Sequence, residues 1–90
     1  MRIILSPEAL EDLEYWKAMD ASIVKRIKRL LEDISQHPDT GLGKPERLKY
    51  GLSGKWSRRI NSEHRIIYKI NDDKIEVLVL SMRYHYKKKD

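Results

Sequence analysis

Residues 43–70 read GKPERLKYGLSGKWSRRINSEHRIIYKI, and the fold turns on how this stretch divides. Short runs of β-compatible residues alternate with Gly and Asn turns, the pattern of strands joined by tight connections. Strands are expected at 46–49, 55–60 and 65–70, with a fourth at 75–82. The separators at 51–54, 61–64 and 71–74 are too short for a crossover, so successive strands must be antiparallel neighbours. The run Ile75-Glu76-Val77-Leu78-Val79-Leu80 is nearly all apolar. It is expected to be a central strand, covered on both faces for much of its length. Cations recur through the same region: Lys44, Arg47, Lys49, Lys55, Arg58, Arg59, Arg65 and Lys69. A sheet carrying them offers a rigid positive surface suited to a phosphate backbone.

Upstream, Arg2 to Leu5 is a short apolar run expected to form a strand. Ser6-Pro7 then supplies a hydroxyl at an N-cap and a proline at the first helical position. Glu8, Glu11 and Asp12 follow where the helix dipole favours anions. Leu10, Leu13 and Trp16 repeat at helical spacing as a core-facing stripe, and this helix is expected to end near Met19. Asp20 can cap a second helix whose apolar set is Ile23, Ile27, Leu30, Leu31 and Ile34. Pro38 stops it, and His37 before the proline is pushed out of helical geometry. The loop PDTGLGKP spans 38–45. The expected architecture is α+β in the order β-α-α-β-β-β-β, a helical hairpin packed on one face of a mainly antiparallel sheet.

Ninety residues make one domain, expected at 1–86, with 87–90 as a basic tail. The chain has no cysteine, so no disulfide framework holds it and a reducing compartment is allowed. No apolar run approaches the ~20 residues of a membrane span, and the N-terminal run is too short for a signal peptide. A cytoplasmic location is expected. Charge is unevenly spread: residues 1–43 carry a net −2 and residues 44–90 a net +7, giving the overall +5. The three histidines lack metal-ligand spacing, and no glycine-rich phosphate loop leads into a helix, so neither a metal nor a nucleotide cofactor is expected. Ser53, Ser57 and Ser81 lie in no nucleophile-elbow context.

Glu46, after Pro45 at the start of a strand, has two readings: a solvated carboxylate at a loop edge, or a general base kept ionised by nearby cations. Arg58, Arg59 and Arg65 flank the 61–64 turn, and Arg59 and Arg65 are expected to be close across the hairpin. They read either as an exposed polar face or as a guanidinium pair gripping a phosphate. Parity puts Ser57 with Arg59 on one face and Trp56, Arg58 and Ile60 on the more apolar other, which favours Arg59 over Arg58 for a ligand role. His85 lies between Tyr84 and Tyr86 at the end of the last strand. It is either a solvated histidine or a proton shuttle beside rings that can stack on bases. Trp16 and Trp56 read as core or interface residues.

Four motifs then occur in order: Gly43-Lys44-Pro45-Glu46-x-Leu48-Lys49, Leu52-Ser53-Gly54-x-Trp56-Ser57-Arg58-Arg59-Ile60, Glu63-His64-Arg65-x-x-Tyr68 and Arg83-Tyr84-His85-Tyr86. In these, and over nearly its whole length, the chain resembles the YoeB/Txe family, RelE-like toxins of bacterial type II toxin–antitoxin modules. The resemblance implies a RelE-like toxin fold and an mRNA interferase acting on mRNA in the ribosomal A site. It implies a cognate small antitoxin as partner and leaves a homodimer open. It matches Glu46 to the general base, Arg65 to the phosphate-stabilising arginine and His85 to the general acid. Lys49 and Arg59 match supporting cations, and Tyr86 matches the tyrosine that closes the family's motif; by their own chemistry the Tyr84 and Tyr86 rings can stack on a splayed-out RNA base. A metal-free ribonuclease needs a base for the ribose 2′-OH, an acid for the leaving 5′-oxygen and cations for the phosphorane charge, and these residues supply one of each. The competing readings are a non-catalytic RNA- or ribosome-binding module and a domain whose basic face meets an acidic protein.

Overall fold

The computed structural model describes residues 1–49, 51, 54–74 and 76–84. The expected Gly51–Gly54 turn and last strand therefore fall partly, and His85, Tyr86 and the 87–90 tail wholly, outside the described residues. The elements are β1 (Arg2–Leu5), α1 (Pro7–Met19), α2 (Ala21–Gln36), β2 (Glu46–Arg47), β3 (Trp56–Arg59), β4 (Arg65–Asn71) and β5 (Glu76–Ser81). They form one sheet in the order β1-β5-β4-β3-β2. The β2–β5 strands pair antiparallel with their sequence neighbours, and β1 closes the other edge parallel to β5.

Local chemistry sets the helix boundaries. Ser6 has extended backbone and its Oγ accepts the Ala9 N–H at 3.1 Å, with Pro7 at the first helical position. Asp20 both ends α1 and starts α2. Its N–H donates to Trp16 O at 2.8 Å, and its Oδ1 accepts from the N–H groups of Ser22 at 3.0 Å and Ile23 at 3.3 Å. The Ser22 hydroxyl and the Ile23 amide hold the Asp20 carboxyl below its ordinary value. A one-residue link between helices leaves room only for a sharp turn, and both pack on the same face of the sheet. Ile27, Leu30 and Ile34 of α2 meet Ile66 and Tyr68 of β4 and Val77 and Val79 of β5 in the core.

The structure corrects two expectations. Leu10 is 50% exposed; the buried line of α1 is Ala9, Asp12 and Trp16, with Leu13 half-buried. The helix is rotated because Asp12 is drawn inward, where its Oδ2 accepts the Met82 N–H at 2.9 Å. β5 is an interior strand, but β4 holds the centre, and only one face of β5 is closed off: Val77 and Val79 are buried while Leu78 and Leu80 are half-buried. The helices cover a single side of the sheet, so the apolar run overstates its own burial.

The loop from α2 to β2 is tied down by Arg58, which is fully buried. Its Nη1 donates to Asp33 Oδ2 at 2.5 Å and to Leu42 O at 3.1 Å. Its Nη2 donates to Thr40 O at 2.7 Å and to His37 O, and its Nε to the Tyr68 hydroxyl at 3.1 Å. Tyr68 in turn donates to Pro38 O at 2.7 Å. Burial raises the Tyr68 phenol above its ordinary value, against the opposing pull of Arg58. The loop then meets β3, where the Arg59 N–H donates to Gly43 O at 2.7 Å. Gly43 has φ +78°, and a Cβ there would lie 2.9 Å from Leu30 Cδ2 and 3.0 Å from Arg59 O, so only glycine fits. Gly43→Ala should cost about 1–3 kcal/mol, read as a lower denaturant midpoint.

The Arg58 bond, the largest influence, holds the Asp33 carboxyl below its ordinary value. A depressed folded pKa contributes stability that is present above the unfolded carboxylate value of ~3.9 and lost as pH falls through the folded value. Asp33→Asn should therefore cost about 2 kcal/mol at pH 7 and flatten the loss of stability below about pH 4. Denaturant melts across that window check both.

Candidate active site

The hairpin register builds the site. Arg59 on β3 is paired with Arg65 on β4, and Ser57 on β3 is paired with both Ile67 on β4 and Glu46 on β2. Directly opposed residues share a face, and residues two apart along a strand share it too. Glu46, Arg59, Arg65 and Lys69 therefore stand on the side of the sheet away from the helices. Arg58, Ile66 and Tyr68 point to the helix side, as parity anticipated for Arg58. From Glu46 to Arg65 the Cα separation is about 12 Å, two strand spacings across and two residues along. Glu46 and Arg59 are exposed and Arg65 is half-buried.

Arg59 is held from both sides of its backbone: its N–H bonds to Gly43, and its carbonyl accepts Arg26 Nη2 at 3.3 Å. The Leu48 N–H donates to Lys55 O at 2.9 Å, extending the β2–β3 pairing one residue past Arg47. Leu48 is buried and anchors this end, and exposed Lys49 follows it. Arg47 lies with its Cζ 5.6 Å from the centre of the half-buried Trp56 ring.

The connection from β3 to β4 is a turn built on Asn61, whose Oδ1 accepts the N–H groups of Glu63 at 2.9 Å and His64 at 2.7 Å. The Ile60 N–H closes it on His64 O at 2.9 Å. The end of β5 comes back to this turn. The Arg65 N–H donates to Tyr84 O at 3.2 Å, and the Tyr84 N–H donates to His64 Nδ1 at 2.7 Å. Tyr84 is 53% exposed with φ +62°. Arg83 lies between rings, its Cζ 3.5 Å from the centre of Tyr15 and 4.7 Å from that of Tyr84, and its Nη2 donates to the Tyr84 hydroxyl at 2.7 Å.

The structure thus pairs Arg59 with Arg65, with Glu46 on the same face two strands away, while Tyr84 meets Arg65 through its backbone carbonyl and turns its ring toward His64 and Arg83. Lys49 follows on from β2, and His85 and Tyr86 are outside the described residues. Among the described residues, no cluster of three or more His, Cys, Asp or Glu has the makings of a metal site. Sequence reasoning misses His64 and Asp12. As a residue type, His64 suggests only a metal ligand; its place between Glu63 and Arg65 in the third of the four motifs is the available signal. For Asp12 the signal is a carboxylate at helical spacing between Ala9 and Trp16.

Comparison with known proteins shows the family. The family model described as "YoeB-like toxin of bacterial type II toxin-antitoxin system" matches residues 5–86. Toxin YoeB of Escherichia coli K12 is 48% identical over 86 residues, covering 96% of this chain and 100% of the relative. Among solved structures, a heterotetrameric YoeB–YefM toxin–antitoxin complex from Staphylococcus aureus contains a chain that superposes with a TM-score of 0.84 at 42% identity, covering 96% of this chain and 98% of that one. A YoeB dimer from the same organism gives a TM-score of 0.85 at 42% identity with the same coverage. Matched by that family model over residues 5–86 and 48% identical to a relative covered over its whole length, the protein belongs to the YoeB-like toxins of bacterial type II toxin–antitoxin systems.

Proposed function

We propose that this toxin is a ribosome-dependent endoribonuclease that cuts mRNA in the ribosomal A site, in the cytoplasm, and so stops translation. The observation that carries the reading is the β2–β3–β4 register, which sets Glu46, Arg59 and Arg65 on one face of the sheet, around the buried Ser57 and Ile67. A carboxylate and two guanidiniums on such a face match the needs of phosphodiester cleavage by an internal nucleophile. Glu46 takes the proton from the ribose 2′-OH. The 2′-oxygen attacks phosphorus, the bond to the 5′-oxygen breaks, and His85 gives that oxygen its proton. Arg65 bears the charge that develops on phosphorus, with Arg59 and Lys49 beside it. The products are a 2′,3′-cyclic phosphate and a 5′-hydroxyl, and no bound metal takes part. Tyr84 and Tyr86 offer rings to a splayed-out base.

The Staphylococcus aureus complex of a similar chain with YefM supports a small antitoxin as partner here, and the dimer of that relative supports self-association. An acidic antitoxin segment would suit the +7 half of the chain.

The decisive experiment places an mRNA with one 2′-deoxy nucleotide, 5′ of the scissile phosphate, in the A site. Binding should persist and cleavage should stop. Continued cutting, or a 5′-phosphate on the downstream fragment, ends this mechanism. Glu46→Gln and His85→Gln should each slow cleavage by about 100- to 10,000-fold while leaving ribosome binding intact. Arg65→Ala should lower the single-turnover rate at saturating ribosome more than it weakens binding, because its charge acts where negative charge peaks. Equal losses in rate and affinity would instead give Arg65 a purely binding role.

A further inference from the structure

Beyond β5 the chain leaves the sheet ladder, and side chains hold residues 82–84. Asp12 Oδ2 accepts the Met82 N–H at 2.9 Å, and Trp16 Nε1 donates to Met82 O at 2.9 Å. His64 Nδ1 accepts the Tyr84 N–H at 2.7 Å. Tyr84 sits at φ +62°, a left-handed conformation that non-glycine residues rarely adopt and that persists where the surroundings enforce it.

His64 is built as a fixed acceptor. It is 8% exposed, and its ring meets the Trp16 ring edge-on at 4.7 Å and the Tyr84 ring at 5.3 Å. Both of its backbone groups are engaged, by Asn61 and Ile60. A backbone N–H can only donate, so Nδ1 carries no proton and the ring proton lies on Nε2. The Glu63 carboxylate lies 3.6 Å from Nε2.

We infer that His64 is a positioning residue for cleavage: its bare Nδ1 fixes the Tyr84 N–H and the left-handed turn there, from which the chain continues to His85 and Tyr86. The inference rests on the endoribonuclease reading above. His64 precedes Arg65, whose own N–H holds the Tyr84 carbonyl, so adjacent residues grip both polar backbone groups of Tyr84. Without the Nδ1 acceptor, Tyr84 can relax toward ordinary φ values, and its carbonyl loses its fixed place on the Arg65 N–H. The exposed cations of the sheet are untouched, so the loss falls on rate and not on ribosome binding.

The test compares two amide replacements of similar polarity in the full chain. His64→Asn places its carboxamide oxygen where Nδ1 lies; His64→Gln reaches the position of Nε2 instead. Cooperative melting confirms that each is folded, and single-turnover cleavage on programmed ribosomes is measured beside ribosome binding. His64→Gln should cut the rate by about 10- to 100-fold, the scale of a misplaced catalytic group, with binding unchanged. His64→Asn should stay close to the wild-type rate. Amide exchange at Tyr84, which needs no activity, should be fast in His64→Gln and slow in His64→Asn. Wild-type rates in both variants, equal losses in both, or a loss confined to His64→Asn each overturn the inference; equal losses would assign His64 to packing against Trp16. A wild-type chain that cuts no mRNA overturns the endoribonuclease reading itself, a result distinct from any difference between the variants.

Discussion

A guanidinium with no exposure to water must find partners for all of its N–H groups, or the fold pays the full desolvation cost of a charge. Arg58 meets that demand with the Asp33 carboxylate, three loop carbonyls and the Tyr68 hydroxyl. One side chain on β3 thereby fixes the end of α2, the whole turn after it and the central strand. The loop has almost no apolar surface of its own to bury, so a polar network takes the place of a core. Gly43 and Glu46 follow directly from it. The position of the edge carboxylate is in this sense set by a buried arginine on the opposite face of the sheet.

The adjacent Arg59 has the opposite fate, and the difference comes from the pleat alone. Successive side chains of a strand alternate between faces, and only one face here is roofed by helices. Arg58 points under the roof and is consumed by structure; Arg59 points to the open side and stays exposed. The same division runs through β4, where Ile66 and Tyr68 join the core and Arg65 faces outward with Arg59. A one-residue slip in the β3–β4 register would exchange the two sets, so register is specified strongly by burial on one side.

Much of this is legible in the sequence because it is local. Ser6, Pro7, Asp20 and Pro38 mark helix boundaries through their own backbone chemistry, and the alternation in WSRR by itself assigns the two arginines to opposite faces. What is not legible depends on residues far apart in sequence. Asp12 reads as an acid answering the helix dipole because its partner, the Met82 N–H, lies 70 residues on. His64 reads as an isolated histidine because its acceptor role exists only once the end of β5 returns to the 61–64 turn. Leu10 looks a better core residue than Ala9, since hydrophobicity cannot report a helix rotated by a buried carboxylate. The nearly all-apolar run of β5 reveals its interior place but not the neighbour on its far side, which is the first strand of the chain.

That last pairing has a consequence for how the protein is made. β1 is synthesised first and lies beside β5, with Arg2 opposite Glu76 and Leu5 opposite Val79. Ser6 and Trp16 likewise bond to carbonyls of Leu80 and Met82. Translation delivers the N-terminal segment long before its partners exist, and contacts of such span close late because the intervening chain must be ordered first. The first helix and strand cannot dock on a finished sheet until the last strand has left the ribosome. A message truncated before codon 76 therefore yields a chain with no seat for β1, and the first strand made stays unpaired until the fifth follows it.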